Sequence, residues 1–362
     1  MALTQQTVLQ YLANWHDDYL GQSLAELNVL KTVESIQQGY CVKLRYPYPF
    51  ESQRQQFEQQ LSEYLSEQLN ESVTVTIEWK IANHTGHTSI QCLKQVKNII
   101  AIASGKGGVG KSTVAVNLAC ALQKEGGRVG LLDADIYGPN QPQMLGQRET
   151  HLDKPQKNAI PPVEAFGLQT MSIGYLVDSQ QPTIWRGPMV SGALQQLLNQ
   201  TQWDNLDYLI IDLPPGTGDI QLTLAQKIPV SGSIIVTTPQ QVALADARKG
   251  LAMFNKVRVP VLGLVENMSY FICDHCEHRH HLFDQDGGRA LAKQHNIDLL
   301  GQVPLQPALV TSTEQGRPLV YDQPESPVAK EFSQIACHLA ANLSQQAINY
   351  SAKFTNIVVE ND

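Results

Sequence analysis

The 362-residue sequence predicts an α/β protein in which a doubly wound, mostly parallel sheet follows a small α/β domain. Two observations lead to this prediction. From residue 98 onward, short continuous apolar runs alternate with segments of helical periodicity, as is typical of parallel strands covered by helices on both faces. Before residue 82, strand-like alternation surrounds one amphipathic helix. The chain length also suits two domains.

The small domain is predicted for residues 1–81. Its helix is the segment ESQRQQFEQQLSEYLSEQL, because apolar residues recur there at helical spacing. The segment ESVTVTIEWKI alternates β-branched with polar residues, which predicts a strand. Residues 82–97 are polar and lack a strong period, so we predict a linker there.

The large domain is predicted for residues 98–345, and a polar C-terminal tail for residues 346–362. Helical segments separate its strands, which allows successive strands to run parallel. Ligands bind such sheets at the carboxyl ends of the strands. The expected strands are NIIAIAS, RVGLLDAD, DYLIIDLP, GSIIVTTP, VPVLGLVEN and DLLGQVPL.

Composition and charge argue against several functional classes. The net charge of −8 lacks the basic excess expected of a surface that grips nucleic acid. No apolar run is long enough to span a bilayer, and the first residues do not resemble a secretory signal. Four of the six cysteines are scattered, which is typical of reduced thiols. We therefore expect a cytoplasmic protein that binds neither nucleic acid nor membrane.

The stretch SGKGGVGKST, residues 104–113, lies between a predicted strand and a predicted helix and carries the phosphate-loop pattern G-x-x-x-x-G-K-[ST]. Backbone N–H groups of such a loop surround a phosphate, and the helix that follows points its positive end at the anion. We expect Lys111 to reach the β- and γ-phosphates and Ser112 to bind Mg²⁺ through its hydroxyl. The expected nucleotide-binding residues of the loop are Gly105, Lys106, Gly107, Gly108, Val109, Gly110, Lys111, Ser112 and Thr113.

Aspartates end two of the predicted strands. Asp212 ends DYLIID before a glycine turn, and we assign it to Mg²⁺, which prefers oxygen ligands. Asp133 and Asp135 end LLDAD, and we assign Asp135 to orienting the attacking water. Asp133 has two interpretations: a second functional carboxylate, or one that only accepts hydrogen bonds from nearby backbone N–H groups.

The loop GKGGVGKST resembles the deviant Walker A motif of a clade of ATPases that includes cell-division and partition proteins, the arsenite-efflux ATPase and the nitrogenase iron protein. The resemblance implies that Lys106, the lysine that the phosphate-loop pattern does not include, reaches the nucleotide of the other subunit of a homodimer. Lys106 and Lys111 would then both be catalytic residues. It also implies that Asn267, which ends the strand VLGLVEN, contacts the adenine of ATP. The alternative for Lys106 is a loop lysine that only contacts solvent. The alternative for Asn267 is an Asx turn that leads into the cysteine segment.

The segment ENMSYFICDHCEHRHHLF contains Cys273 and Cys276 in a C-x-x-C pattern. A short turn can direct two thiolates at one metal ion or one cluster, but zinc and a cubane cluster each need four ligands. A second copy of the chain can supply two further cysteines, or nearby histidines can complete a zinc site within one chain. A redox disulfide is a third option. The nearby histidines are His275, His278, His280 and His281.

Several segments together resemble the Mrp/ApbC family of iron–sulfur cluster carrier ATPases, from about residue 97 to about residue 332. The resemblance implies ATP hydrolysis, a [4Fe–4S] cluster held between two subunits by Cys273 and Cys276, and its delivery to apo-proteins. It also implies that residues 1–81 form a small iron–sulfur assembly domain. The alternative is a positioning or partition ATPase with a structural zinc at the C-x-x-C. The segments are LLDADIYGPN, WRGPMVSGALQQLL, DYLIIDLPPGTGDIQLTL, VTTPQQVALADARKG and VENMSYFICDHC.

One departure from that family concerns the small domain. The stretch LRYPYPF contains no cysteine, although a cysteine near a proline is common there in the family. This weakens any expectation of a metal site in residues 1–81. Cys41 lies in a predicted strand and is interpreted as a core thiol. Cys92, Cys120 and Cys337 are interpreted as incidental thiols.

Overall fold

A computed structural model describes residues 3–84, 93–152, 159–177, 187–273 and 275–349. Within these ranges the chain forms an eight-stranded sheet, a three-stranded sheet and a two-stranded hairpin. None of the helices in these ranges is long and apolar enough to cross a membrane. The interpretation of Cys92 lies outside the described residues.

The three-stranded sheet is built from the first part of the chain. Its order is β1-β2-β3, with β1 antiparallel and β3 parallel to β2. The long helix α2 covers this sheet and coincides with the segment predicted to be helical. The elements are α1 (Gln5–Leu12), β1 (Leu30–Ile36), β2 (Gly39–Tyr46), α2 (Glu51–Leu69) and β3 (Val73–Trp79).

The eight-stranded sheet has the order β13-β10-β9-β4-β8-β5-β7-β6 and is parallel except for β6, which pairs antiparallel with β7 at one edge. The strands are β4 (Val96–Ala103), β5 (Val129–Asp133), β6 (Val163–Ala165), β7 (Leu168–Ser172), β8 (Leu206–Asp212), β9 (Gly232–Thr237), β10 (Val261–Asn267) and β13 (Leu299–Val303). A hairpin of β11 (Phe271–Ile272) and β12 (Arg279–His280) follows β10.

Helices cover both faces of this sheet, so the central strands β8 and β9 are buried at every position. On β4, Ile100 and Ile102 pack into the core beneath α3 and α11, whereas Ile99 and Ala101 pack into the core beneath α5, α6 and α7. The helices are α3 (Lys111–Lys124), α4 (Gln141–Met144), α5 (Gly187–Gln200), α6 (Asp219–Lys227), α7 (Gln241–Lys256), α8 (Gly287–His295), α9 (Pro307–Glu314), α10 (Leu319–Asp322) and α11 (Pro327–Ser344).

The structure therefore has the predicted strands of the large sheet, with small differences at its edges. β4 begins at Val96, two residues before the predicted start. The antiparallel pair β6–β7 is absent from the prediction because β6, at three residues, is too short to show a period. At the beginning of the predicted linker, His84 is 3% exposed and its backbone N–H donates to Asn98 Oδ1 at 2.9 Å.

The first part of the chain packs against the side of the large sheet that carries α3 and α11. Its apolar residues and those of the two helices form one hydrophobic cluster. The thiol of Cys337 on α11 donates to the carbonyl oxygen of Pro49 at 3.9 Å. Gly126, just after α3, has a φ of +100°, and a Cβ atom there would lie 2.5 Å from the Trp79 indole. The contact between the two parts thus depends on a glycine that lets Trp79 approach the backbone.

We predict that Gly126→Ala destabilises the protein more than Gly21→Ala. Both glycines have a positive φ, which costs an alanine about 1–2 kcal/mol, but no atom lies within 4 Å of a Cβ at Gly21. The collision with Trp79 should cost about 1–3 kcal/mol more. Urea unfolding of both variants measures the difference. Equal losses would show that Trp79 is not held against Gly126.

Candidate functional site

The phosphate loop connects the end of β4 at Ala103 to the start of α3 at Lys111. Gly108 and Gly110 have φ values of +82° and +78°, a region that glycine adopts without strain. A side chain at Gly110 would also collide with the amide of Asn267, and one at Gly105 with the backbone of Asp246. Gly105 and Gly110 are therefore required by the packing around the loop, whether or not a phosphate is bound.

Lys111, Ser112 and Asp212 meet at the carboxyl edge of the sheet. Lys111 is 5% exposed and its ammonium forms an ion pair with Asp212, which is 1% exposed and ends β8. The same ammonium lies 3.4 Å from the Ser112 hydroxyl oxygen. One cation thus already contacts both oxygen groups that the sequence assigns to Mg²⁺. The donor set therefore fits a magnesium ion once Lys111 turns to a phosphate.

Asp133 lies beside Asp212 in the register of β5 and β8 and is 1% exposed. It accepts hydrogen bonds from the backbone N–H groups of Asp135 and Gln141 and from the Ser172 hydroxyl, each at 3.1 Å. Burial and then the charge of Asp212 raise the pKa of Asp133 to about 7. These contacts match the second interpretation of Asp133, that of a carboxylate satisfied by nearby N–H groups.

Asp135 is half-buried, and its backbone is held near the site by the hydrogen bond to Asp133. Burial raises the pKa of Asp135 above its ordinary value.

Lys106 has a different environment: its side chain is exposed, and in the described part of the chain it forms no ion pair. Its carbonyl oxygen accepts a hydrogen bond from the Ser104 hydroxyl at 2.9 Å, which fixes the backbone of the loop.

Gln141 is a residue of this site that the sequence analysis does not identify. It begins α4 and is 1% exposed. Its side-chain amide nitrogen donates to Asp212 Oδ2 at 2.8 Å and to the Ser112 carbonyl oxygen at 3.1 Å. No motif marks this glutamine, because only the fold brings α4 next to the ends of β5 and β8.

Asn267 ends β10 and contacts the phosphate loop. Its Nδ2 donates to the carbonyl oxygen of Val109 at 2.9 Å, while its Oδ1 is buried without a hydrogen-bond partner. A buried acceptor without a partner is costly, and such atoms often mark the place of a ligand. The contact with Val109 places Asn267 beside the phosphate loop, with its Oδ1 open to a hydrogen-bond donor.

Cys273 and Cys276 lie in the turn of the β11–β12 hairpin. The N–H of Cys273 donates to the His278 carbonyl oxygen at 3.0 Å, and the N–H of Glu277 donates to the Cys273 carbonyl oxygen at 2.9 Å. Cys276 is exposed and Cys273 is half-buried. Because the turn is closed by backbone hydrogen bonds, it holds both cysteines on a surface loop.

Among the described residues of this turn, the histidines do not gather with the cysteines into a group that could hold a metal ion. His278 and His280 are exposed, with ring centroids 4.7 Å apart. Across the described ranges, which leave out Asp274, no group of three or more His, Cys, Asp or Glu side chains is arranged to hold a metal ion. The described side chains of one hairpin therefore present a half-site.

A buried carboxylate ties the base of the hairpin to the sheet. Glu266 is fully buried and precedes Asn267 on β10. It accepts hydrogen bonds from Ser269 Oγ and from the Gly288 N–H, both at 2.6 Å, and from Gln302 Nε2 at 2.8 Å. Asn267, which contacts the phosphate loop, and the hairpin that starts at Phe271 are thus joined by a short, firmly held segment.

The other described cysteines lie away from this turn. Cys120 and Cys337 are buried in helices α3 and α11, as expected of incidental thiols. Cys41 is half-buried on β2, with its sulfur 3.9 Å from Thr76 Oγ1, so the interpretation as a core thiol is wrong. β2 has a partly exposed face in the small sheet, which the alternation of the segment alone does not reveal.

Comparison with known sequences shows the family to which this chain is similar. Residues 95–340 match the model of a family described as ParA, NUBPL iron-transfer P-loop NTPase. The iron-sulfur cluster carrier protein of Haemophilus influenzae is 45% identical over 343 residues, which cover 94% of this chain and 93% of the relative. The mouse iron-sulfur cluster transfer protein NUBPL is 49% identical over 253 residues, or 69% of this chain and 79% of the relative.

Solved structures share the large sheet. A nucleotide-binding protein from Archaeoglobus fulgidus in complex with ADP matches with a TM-score of 0.58 and 36% identity, over 66% of this chain and 93% of that one. The cell division ATPase MinD of Pyrococcus furiosus matches with a TM-score of 0.51 and 25% identity, over 67% of this chain and 98% of that one. These similarities confirm the predicted fold class.

Proposed function

Because the chain belongs to the ParA/NUBPL family of iron-transfer P-loop NTPases, we propose that it is an ATP-hydrolysing carrier of iron–sulfur clusters. It holds a [4Fe–4S] cluster between two copies of the chain and delivers it to apo-proteins. The observation that carries this proposal is the surface hairpin that presents Cys273 and Cys276 as half of a four-ligand site. A relative that aligns with nearly the whole chain is named an iron-sulfur cluster carrier protein, which supports an iron–sulfur cluster as the cargo.

The homodimer follows from the ligand count. A cubane cluster takes four thiolates, and the hairpin offers two. Cys120 and Cys337 are buried in helices and Cys41 lies on β2, so none of them belongs to the hairpin. A two-fold axis beside the hairpin brings the cysteine pair of a second copy next to the first pair. The exposure of Cys276 supports this arrangement, because a thiol that must meet a partner has to lie on the surface.

At the nucleotide site, the phosphate loop from Gly105 to Thr113 holds ATP and Lys111 leaves Asp212 to contact the phosphates. Magnesium, when bound, would be held by the Ser112 hydroxyl and Asp212 and would neutralise charge on the phosphates. Asn267 supports a preference for adenine, because its unpartnered Oδ1 can accept a hydrogen bond from the adenine amino group.

Lys106 and Asp135 act on the reaction itself in this proposal. The Lys106 ammonium is exposed and has no acidic partner in the described ranges, so it is available to a nucleotide on another subunit, where it stabilises the charge of the leaving group. The backbone N–H of Asp135 donates a hydrogen bond to Asp133, which keeps Asp135 at the site. In this proposal Asp135 orients the attacking water. Both nucleotide and cluster sites are then shared between two chains.

The segment from Glu266 to Phe271 supports coupling between the two sites. Asn267 binds the carbonyl oxygen of Val109, so a shift of the phosphate loop on nucleotide binding acts on the end of β10. The hydrogen bonds that fix Glu266 transmit such a shift to the hairpin, because they restrict independent movement of its base. Nucleotide binding or hydrolysis would therefore gate loading or release of the cluster.

A positioning or partition ATPase with a structural zinc at the C-x-x-C is the alternative function. Zinc would also need four ligands, and the described part of one chain does not gather three. The similarity to MinD shows the shared fold and does not favour a positioning role.

The described cysteines are free thiols scattered along the chain, which supports a cytoplasmic location for the carrier.

We predict that Cys273→Ala and Cys276→Ala each abolish the visible absorbance and the iron content of the anaerobically reconstituted protein, because each substitution removes one cysteine from both chains and leaves two of the four ligands. Cys41→Ala is the matched control, since Cys41 is also partly exposed but lies on β2. It should retain iron and sulfide. Unchanged iron in the Cys273→Ala, Cys276→Ala double variant, or zinc in place of iron in the unmodified chain, would contradict the proposal.

We predict that Lys106→Ala binds ATP without hydrolysing it, whereas Lys111→Ala loses affinity for ATP. Mixing the two variants then tests action in trans. If Lys106 serves the partner's nucleotide, each mixed dimer has one site with both lysines and one with neither, so it recovers about half of the normal activity. If both lysines serve the same chain, both sites are damaged. Mixed dimers of confirmed composition without activity would therefore exclude the trans role.

A further inference from the structure

The side chain of Gln141 connects the Asp212 carboxylate, which would hold magnesium, to the main chain of Ser112, whose hydroxyl would hold the same ion, and no motif of the sequence indicates this. Its Nε2 donates to Asp212 Oδ2 at 2.8 Å and to the Ser112 carbonyl oxygen at 3.1 Å. Both partner atoms are oxygens that can only accept hydrogen bonds. They therefore determine that the nitrogen of the amide, and not its oxygen, faces them. The two hydrogens of one amide are therefore used to connect α3 with the end of β8.

The backbone of Gln141 is anchored independently. Its N–H donates to Asp133 Oδ2, and the same carboxylate oxygen accepts the hydroxyl of Ser172 on β7. Asp133 is buried and pairs in register with Asp212 on the neighbouring strand. The main chain of Gln141 is thus anchored to the sheet, and this fixes the position of its side chain.

The carbonyl oxygen of this amide is the unusual feature. Gln141 Oε1 is buried and has no hydrogen-bond partner. Leaving such an acceptor unpaired costs about 1–3 kcal/mol, which a ligand group that donates a hydrogen bond removes. Water bound to a divalent cation is such a donor, and Mg²⁺ usually keeps several waters in protein sites.

We propose that Gln141 is a positioning residue for the magnesium ion of the nucleotide site. While Lys111 contacts one oxygen of Asp212, Gln141 holds the other, so the carboxylate keeps its direction when Lys111 moves to the phosphates. Its Oε1, which is buried without a partner, would accept a hydrogen bond from a water of the ion when the ion is bound. This inference rests on the nucleotide-binding part of the proposed function and is independent of the cluster.

The test measures metal affinity directly in the full-length chain. Mn²⁺ is titrated into the protein–ADP complex and followed by electron paramagnetic resonance, and ADP affinity is measured separately with a chelator present. Gln141→Met keeps the length of the side chain but removes both amide contacts. We expect it to weaken Mn²⁺ binding about tenfold, the usual effect of losing a partner of a metal ligand. ADP affinity without metal should stay unchanged.

Gln143→Met is the matched control, because Gln143 lies on the same helix and is exposed. It should change neither affinity. Should Gln141→Met fail to fold, Gln141→Asn retains the polarity with a shorter reach and should show the same loss. Unchanged Mn²⁺ affinity in a folded Gln141 variant would overturn the inference. Absence of ADP or Mn²⁺ binding by the unmodified chain would instead contradict the proposed nucleotide function.

Discussion

The buried ion pair between Lys111 and Asp212 is the interaction on which the nucleotide site depends. Each charge is almost inaccessible to water, so either one alone would be strongly unfavourable. The parallel pairing of β4 with β8 makes the pair unavoidable, because the phosphate loop leaves the end of one strand where Asp212 ends the other. A phosphate that attracts Lys111 leaves Asp212 in need of another cation. In the proposed function, magnesium is that cation and replaces the lysine when nucleotide binds.

The second consequence of this sheet is that one strand, β10, contacts the phosphate loop and leads into the hairpin that carries the cysteines. β10 ends in Asn267, which contacts the phosphate loop, and the hairpin with the cysteines follows within a few residues. Glu266 keeps this connection stiff through hydrogen bonds to three separate segments. We infer that a carrier built this way can alter the geometry of its cluster when nucleotide binds, without a large movement of the fold.

Features encoded in contiguous residues were predictable from the sequence, and features created by tertiary contacts were not. The strands, the phosphate loop and the cysteine pair are local patterns, and the structure contains the corresponding strands, loop and hairpin. The bonds from Gln141 to Asp212 and from Ser172 to Asp133 join residues 71 and 39 positions apart, and no motif includes them. Cys41 was placed wrongly because alternation does not tell which face of a small sheet is covered.

Native mass spectrometry of the anaerobically reconstituted full-length chain tests most directly whether two copies share one cluster. The predicted species has the mass of two chains, four irons and four sulfides, and the Cys273→Ala, Cys276→Ala double variant lacks the added mass. The experiment needs no client protein and no nucleotide. A single chain that carries the whole cluster, or a dimer that carries zinc, would contradict the account.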